Sequence, residues 1–93
     1  MGVTREQLIR HGQAIERLQN DETVQTLFDT LDEIYFKNWK DAKDPAEREA
    51  IHAEASAFGA LKKIFEKTVA VGQHEAHLLE QQELADAQAR NQH

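Results

Sequence analysis

Asp44-Pro45, with Glu47 two residues further on, is the strongest constraint in the chain. A proline ring fixes φ near the helical value and removes a backbone N–H, so a helix accepts it readily only in its first turn. Asp44 is placed to cap that turn, and Glu47 stands where a side chain can reach back to the cap. Glu47 and Glu49 add negative charge at the positive end of the helix dipole. One helix must therefore end by about Lys40 and another begin at Pro45. A link of about four residues between two helices predicts an antiparallel hairpin. Its hinge residues are Trp39, Asp44, Pro45 and Glu47.

Apolar spacing on both sides of the hinge is helical. Before it, Val24, Leu27, Phe28, Leu31, Ile34 and Tyr35 trace one face, with Phe36 and Trp39 on a neighbouring face. After it, Ile51, Ala55, Phe58, Leu61, Phe65 and Val69 recur at three and four residues. Ala50, Ala53, Ala55, Ala57 and Ala60, with Gly59, are expected to let another helix approach closely. Lys62, Lys63 and Lys67 suit a helix C-terminus. Gly72 either ends this helix or sits inside a longer one. Upstream, Thr4 with Gln7 forms a capping-box pattern ahead of Leu8, Ile9, Ile15 and Leu18. His11 lies on that stripe and is expected to be packed or partly buried. Gly12 weakens this helix by ~1 kcal/mol relative to Ala. Asn20 is suited to a left-handed C-terminal position, and Asp21 to capping the next helix.

The predicted fold is all-α. An antiparallel hairpin (about 22–40 and 45–71) carries an N-terminal helix (about 5–19) and a polar tail. Residues 1–84 form a single domain. The tail, 85–93, is rich in Ala and Gln with little to bury, so it is expected to fray or to be ordered by a partner.

Helix lengths point to partners. The second helix, about 19 residues, spans ~29 Å, whereas the third, about 27 residues, spans ~40 Å. Paired from the hinge, they leave the far end of the third helix without a neighbour in the second. The first helix or a second subunit would then cover it. The expected contact surface is Phe58, Leu61, Ile64, Phe65, Val69, Leu78 and Leu79.

Chemistry is sparse. With no cysteine, thiolate catalysis and a disulfide scaffold are excluded. No glycine-rich phosphate loop and no serine elbow is present, so no enzyme and no cofactor are expected. His74, His77 and Glu80 have a spacing compatible with a transition metal, but we read them as a solvated polar face. Lys37, Lys40 and Lys43 around Trp39 could meet a nucleic acid by phosphate contact and stacking. Asp41 and Asp44 offset their charge, and the net charge of −6 opposes general nucleic-acid binding. No apolar run resembles a signal peptide or membrane span, so the expected location is the cytoplasm and no membrane partner is expected.

The span from Leu31 to Val71 resembles small α-helical accessory proteins of tailed bacteriophages. The resembling residues are Trp39, Ala42, Asp44-Pro45-Ala46-Glu47-Arg48-Glu49, Ala55, Ala57 and Leu61, and beyond the span Gly72. The resemblance implies a non-enzymatic phage protein of the head or DNA-packaging region. It would act in the host cytoplasm or on the virion, with other phage or host proteins as partners. No functional residue is carried over from it. The leading expectation is a helical interaction protein that self-associates as a homo-oligomer. The alternatives are a small nucleic-acid-binding packaging or regulatory subunit and an acidic inhibitor of a host protein.

Overall fold

The computed structural model describes residues 2–91. Three helices account for nearly all of them: α1 (Arg5–Asn20), α2 (Glu22–Asp41) and α3 (Pro45–Asn91), with no strand among the described residues.

Local chemistry sets each helix start. At α1 the Thr4 hydroxyl oxygen accepts from the Gln7 N–H at 3.2 Å, and Gln7 Oε1 accepts from the Thr4 N–H at 2.9 Å. This reciprocal box satisfies two groups that a helix start leaves without partners. Asp21 serves two helices at once. Its N–H donates to Leu18 O at 3.2 Å, closing α1, and its Oδ1 accepts from the Val24 N–H at 3.1 Å, opening α2. Asn20 does not take the left-handed position: among the described residues no non-glycine has positive φ. The extended backbone of Asp21 (φ −75°, ψ 124°) makes the break instead. At α3, Asp44 Oδ1 accepts from the Glu47 N–H at 2.8 Å, ahead of Pro45.

α3 is the spine. It does not end near Val71 but runs for 47 residues to Asn91, ~70 Å at the usual helical rise. Gly72 lacks the positive φ of a helix-ending glycine, and the residues after it are good helix formers with no proline. The molecule is accordingly long and thin, 76 × 30 × 17 Å. Lys62, Lys63 and Lys67 thus lie mid-helix, far from the C-terminal dipole. Residues 85–91, set apart in the sequence as a polar tail, are helical and exposed, while 92 and 93 fall outside the described residues.

α2 runs along the first half of α3 in the opposite direction. Phe28 stacks on Phe65 (centroids 6.1 Å) and meets Phe58 edge-on (5.2 Å). Asp32 pairs with Lys62 at 2.9 Å. Tyr35 then lies 6.1 Å from Phe58, and Trp39 lies under Arg48 at the hinge. Phe65, expected beyond the reach of α2, is within it.

α1 sits on the second half of α3. Arg5 Nε meets Glu75 Oε2 at 3.0 Å, and Arg5 Nη1 donates to Gln82 Oε1 at 3.0 Å. The two helices touch backbone to backbone at Gly12 and Gly72, both buried. A Cβ on Gly12 would lie 2.9 Å from Gly72 Cα and 3.1 Å from Thr68 O. A Cβ on Gly72 would lie 2.9 Å from Gly12 Cα and 3.0 Å from Leu8 O. Close approach is therefore made here and not at Gly59, where a Cβ would meet nothing within 4 Å. His11, beside this crossing, is exposed and not packed.

The three glycines give opposite expectations. Gly12→Ala and Gly72→Ala each push a methyl into backbone that cannot rotate away, and should cost about 1–3 kcal/mol. Gly59→Ala only removes backbone freedom and should stabilise by up to ~1 kcal/mol. Thermal unfolding followed by circular dichroism at one chain concentration distinguishes them. Equal effects at Gly12 and Gly59 would contradict the crossing.

Candidate interaction surface

A helix turns by about 100° per residue, so the residues between two helices also define the flanks of their seam. On α2 the seam is Val24, Phe28, Leu31 and Tyr35, all half-buried. On α3 it is Ile51, Ala55, Phe58, Lys62 and Phe65, also half-buried. Lys62 lies 4.9 Å from the centroid of the Phe58 ring, with its ammonium on Asp32. Both charged side chains are more than a third exposed, so this pair is worth under ~1 kcal/mol and steers register more than it stabilises.

One flank carries Phe36 and Trp39. With Asp32, Tyr35, Ile51, His52 and Ala55 they line an open groove. Phe36 is 66% exposed. Arg48 occupies one face of Trp39, 5.4 Å from the ring centroid, while its Nε donates to Ala42 O at 3.2 Å. Ala42 is buried under this arrangement. Arg48 and Ala42 thus complete a hinge of which the sequence had suggested only Trp39, Asp44, Pro45 and Glu47. Their signal was present but indirect: a cation four residues after the cap and a small residue two before it.

The opposite flank is apolar and open. Leu27 and Ile34 stand there on α2, two turns apart, and Leu61 and Ile64 on α3, one turn apart. Their exposures are 57%, 45%, 43% and 58%. Because α2 and α3 run in opposite directions, these two flanks lie on one side of the pair, away from His52 and Phe36. Ala57 lies among them and is exposed. α1 bounds this face at Ile64, where Val3, Leu8 and His11 share a depression with Ile64, Thr68 and Val71.

The expected contact residues therefore separate into three groups. Phe58 and Phe65 are taken up by Phe28. Val69, Leu78 and Leu79 are half-buried on the half of α3 that carries α1. Leu61 and Ile64 remain open. Leu27 and Ile34 were read from the sequence as part of the inner stripe of α2. They stand off it because the seam follows the Phe28–Tyr35 line, and a stripe this broad cannot all face one neighbouring helix.

The remaining candidates lie apart from this face. Lys37, Lys40 and Lys43 are exposed around the hinge. His74, His77 and Glu80 are exposed on α3, and among the described residues no group of three or more His, Cys, Asp or Glu is placed to hold a metal ion. No described helix is long and apolar enough to cross a membrane. No protein-family model, curated protein or solved structure matches the chain.

An aromatic in the seam and one on the flank should respond differently. Phe28→Ala removes both ring contacts and part of the α2–α3 seam, at a cost of about 2–3 kcal/mol. Phe36→Ala touches only the open groove and should stay within about 0.5 kcal/mol of the native chain. Urea unfolding of the two variants measures the difference, and comparable losses would mean that Phe36 is not free.

Proposed function

We propose that this chain is a non-enzymatic helical interaction protein that self-associates, and that it serves as a structural, assembly or DNA-packaging accessory protein of a tailed bacteriophage. One observation supports self-association above the rest. Among the described residues no large side chain is fully buried, and the buried positions are Gly12, Ala42 and Gly72. Large apolar residues meanwhile stand open on all three helices, among them Leu18, Leu27, Ile34, Leu61 and Ile64.

A monomer of this kind holds its helices by seams one residue deep. Bringing a half-exposed Leu or Ile to full burial contributes about 1 kcal/mol. Four such residues on each of two chains supply about 8 kcal/mol, within the range that association itself costs. Further contacts along the helices would add to that sum. The phage role rests on the Leu31–Val71 resemblance and is the more specific part of the reading. Nothing in the geometry favours the nucleic-acid alternative: Arg48 already occupies a face of Trp39, and Lys37, Lys40 and Lys43 stand near Asp41 and Asp44.

Sedimentation equilibrium over a wide concentration range tests the reading. A dimer or higher assembly is expected at micromolar chain concentration, with helical signal and thermal midpoint both rising with concentration. A monomer at every concentration would refute it.

A further inference from the structure

We propose that the face formed by Leu27 and Ile34 of α2 with Leu61 and Ile64 of α3 is the site where a second copy of this chain docks. The inference rests on the self-association reading above and assigns it a surface.

Area is the first argument. The free chain exposes 7589 Å² for a mass of 10.6 kDa. A compact monomer of that mass exposes about 5,500 Å², so roughly 2,100 Å² is in excess. A standard interface removes about 800 Å² from each partner, and obligate homodimers remove more. One docked copy therefore fits within the excess. Among the described residues no large side chain is fully buried, so a partner would supply burial that the single chain lacks. The one partner present wherever this chain is made is another copy of it.

Charge and shape are the second argument. Glu54, two turns before Leu61 on α3, and Lys67, which lines the depression at Ile64, edge the face, and both are exposed. A rim of both signs does not repel its own copy, which a two-fold contact requires. The centre carries Leu, Ile and Ala57 with no charge. The opposite flank is less suited to a copy of itself, because Phe36 projects from it and Arg48 already covers part of Trp39. The docked copy extends the α2–α3 pair into a second layer of two helices. α1 stops that layer at Ile64.

The test uses the full chain. Sedimentation equilibrium compares the native protein with the double variant Leu61→Glu/Ile64→Glu. Both positions are open in the single chain, so helicity should match that of the dilute native chain while dimer dissociation rises by about 100-fold or more. The absence of native cysteine allows a second readout that leaves the centre of the face intact. Leu27→Cys should react slowly with an alkylating reagent at high chain concentration and fast on dilution. Phe36→Cys should react fast at both, and that pattern carries the test if the double variant loses its fold. A monomeric native chain would overturn both this inference and the self-association reading. A folded double variant that keeps the native mass would overturn this face alone, as would protection of Phe36→Cys in place of Leu27→Cys.

Discussion

The contact between Gly12 and Gly72 sets how much of this chain folds as one body. α3 is far longer than α2, and α2 contributes ring contacts only as far as Phe65. Without α1, the second half of α3 would be a lone helix with Val69, Val71, Leu78 and Leu79 in water. Isolated helices are marginal in water even when their sequences favour helix. α1 has few large side chains with which to hold on, so its backbone comes close enough for main-chain atoms to touch. Arg5 adds a second hold one end of α1 away, on Glu75 and Gln82. A glycine in each helix costs ~1 kcal/mol of propensity, and the packing that it admits is what that cost obtains.

The two halves of α3 are thus held by different physics. Along the first half, Phe28, Phe58, Phe65 and Tyr35 keep the helices apart by the thickness of their rings. Along the second, glycines let the helices touch. The changeover falls where Asp21 breaks the chain between α1 and α2. A single continuous helix in place of α1 and α2 could not follow both spacings. The one-residue break at Asp21, capped on both sides, supplies the change of direction. That is a structural reason for an Asp there: one carboxylate opens α2 while the same residue's N–H closes α1.

Much of the fold was legible in the sequence because its signals are local. Thr4-Gln7, Asp21 and Asp44-Pro45 each declare a helix start through hydrogen bonds within four residues. The end of α3 was not legible. A glycine is written identically whether it ends a helix or opens a gap for a neighbour, and only the position of Gly12 in space decides. The same ambiguity drew attention to Gly59, which sits in an alanine-rich stretch yet faces no neighbour. Of the open apolar face, Leu61 and Ile64 were among the residues that the sequence marked out. Leu27 and Ile34 could not, since a broad apolar stripe on α2 does not say which of its edges the ring of Phe28 will leave outside.

Apolar residues are spread around α3 instead of gathered on one stripe, and that distribution carries a consequence. A helix with one neighbour needs one apolar stripe, and one hydrophobic on several faces is built to be surrounded. Ile51, Ala55, Phe58 and Phe65 face α2. Gly72, with Val69, Leu78 and Leu79 near it, belongs to the half held by α1. Leu61 and Ile64, with Ala57 beside them, form a third line that neither helix reaches. In a chain with a deep core, two open aliphatic side chains would be ordinary surface. Here Leu61 and Ile64 adjoin Leu27 and Ile34, and no core lies beneath them to supply the burial that they forgo. The third line of α3 is therefore the apolar surface that the chain's own helices leave uncovered.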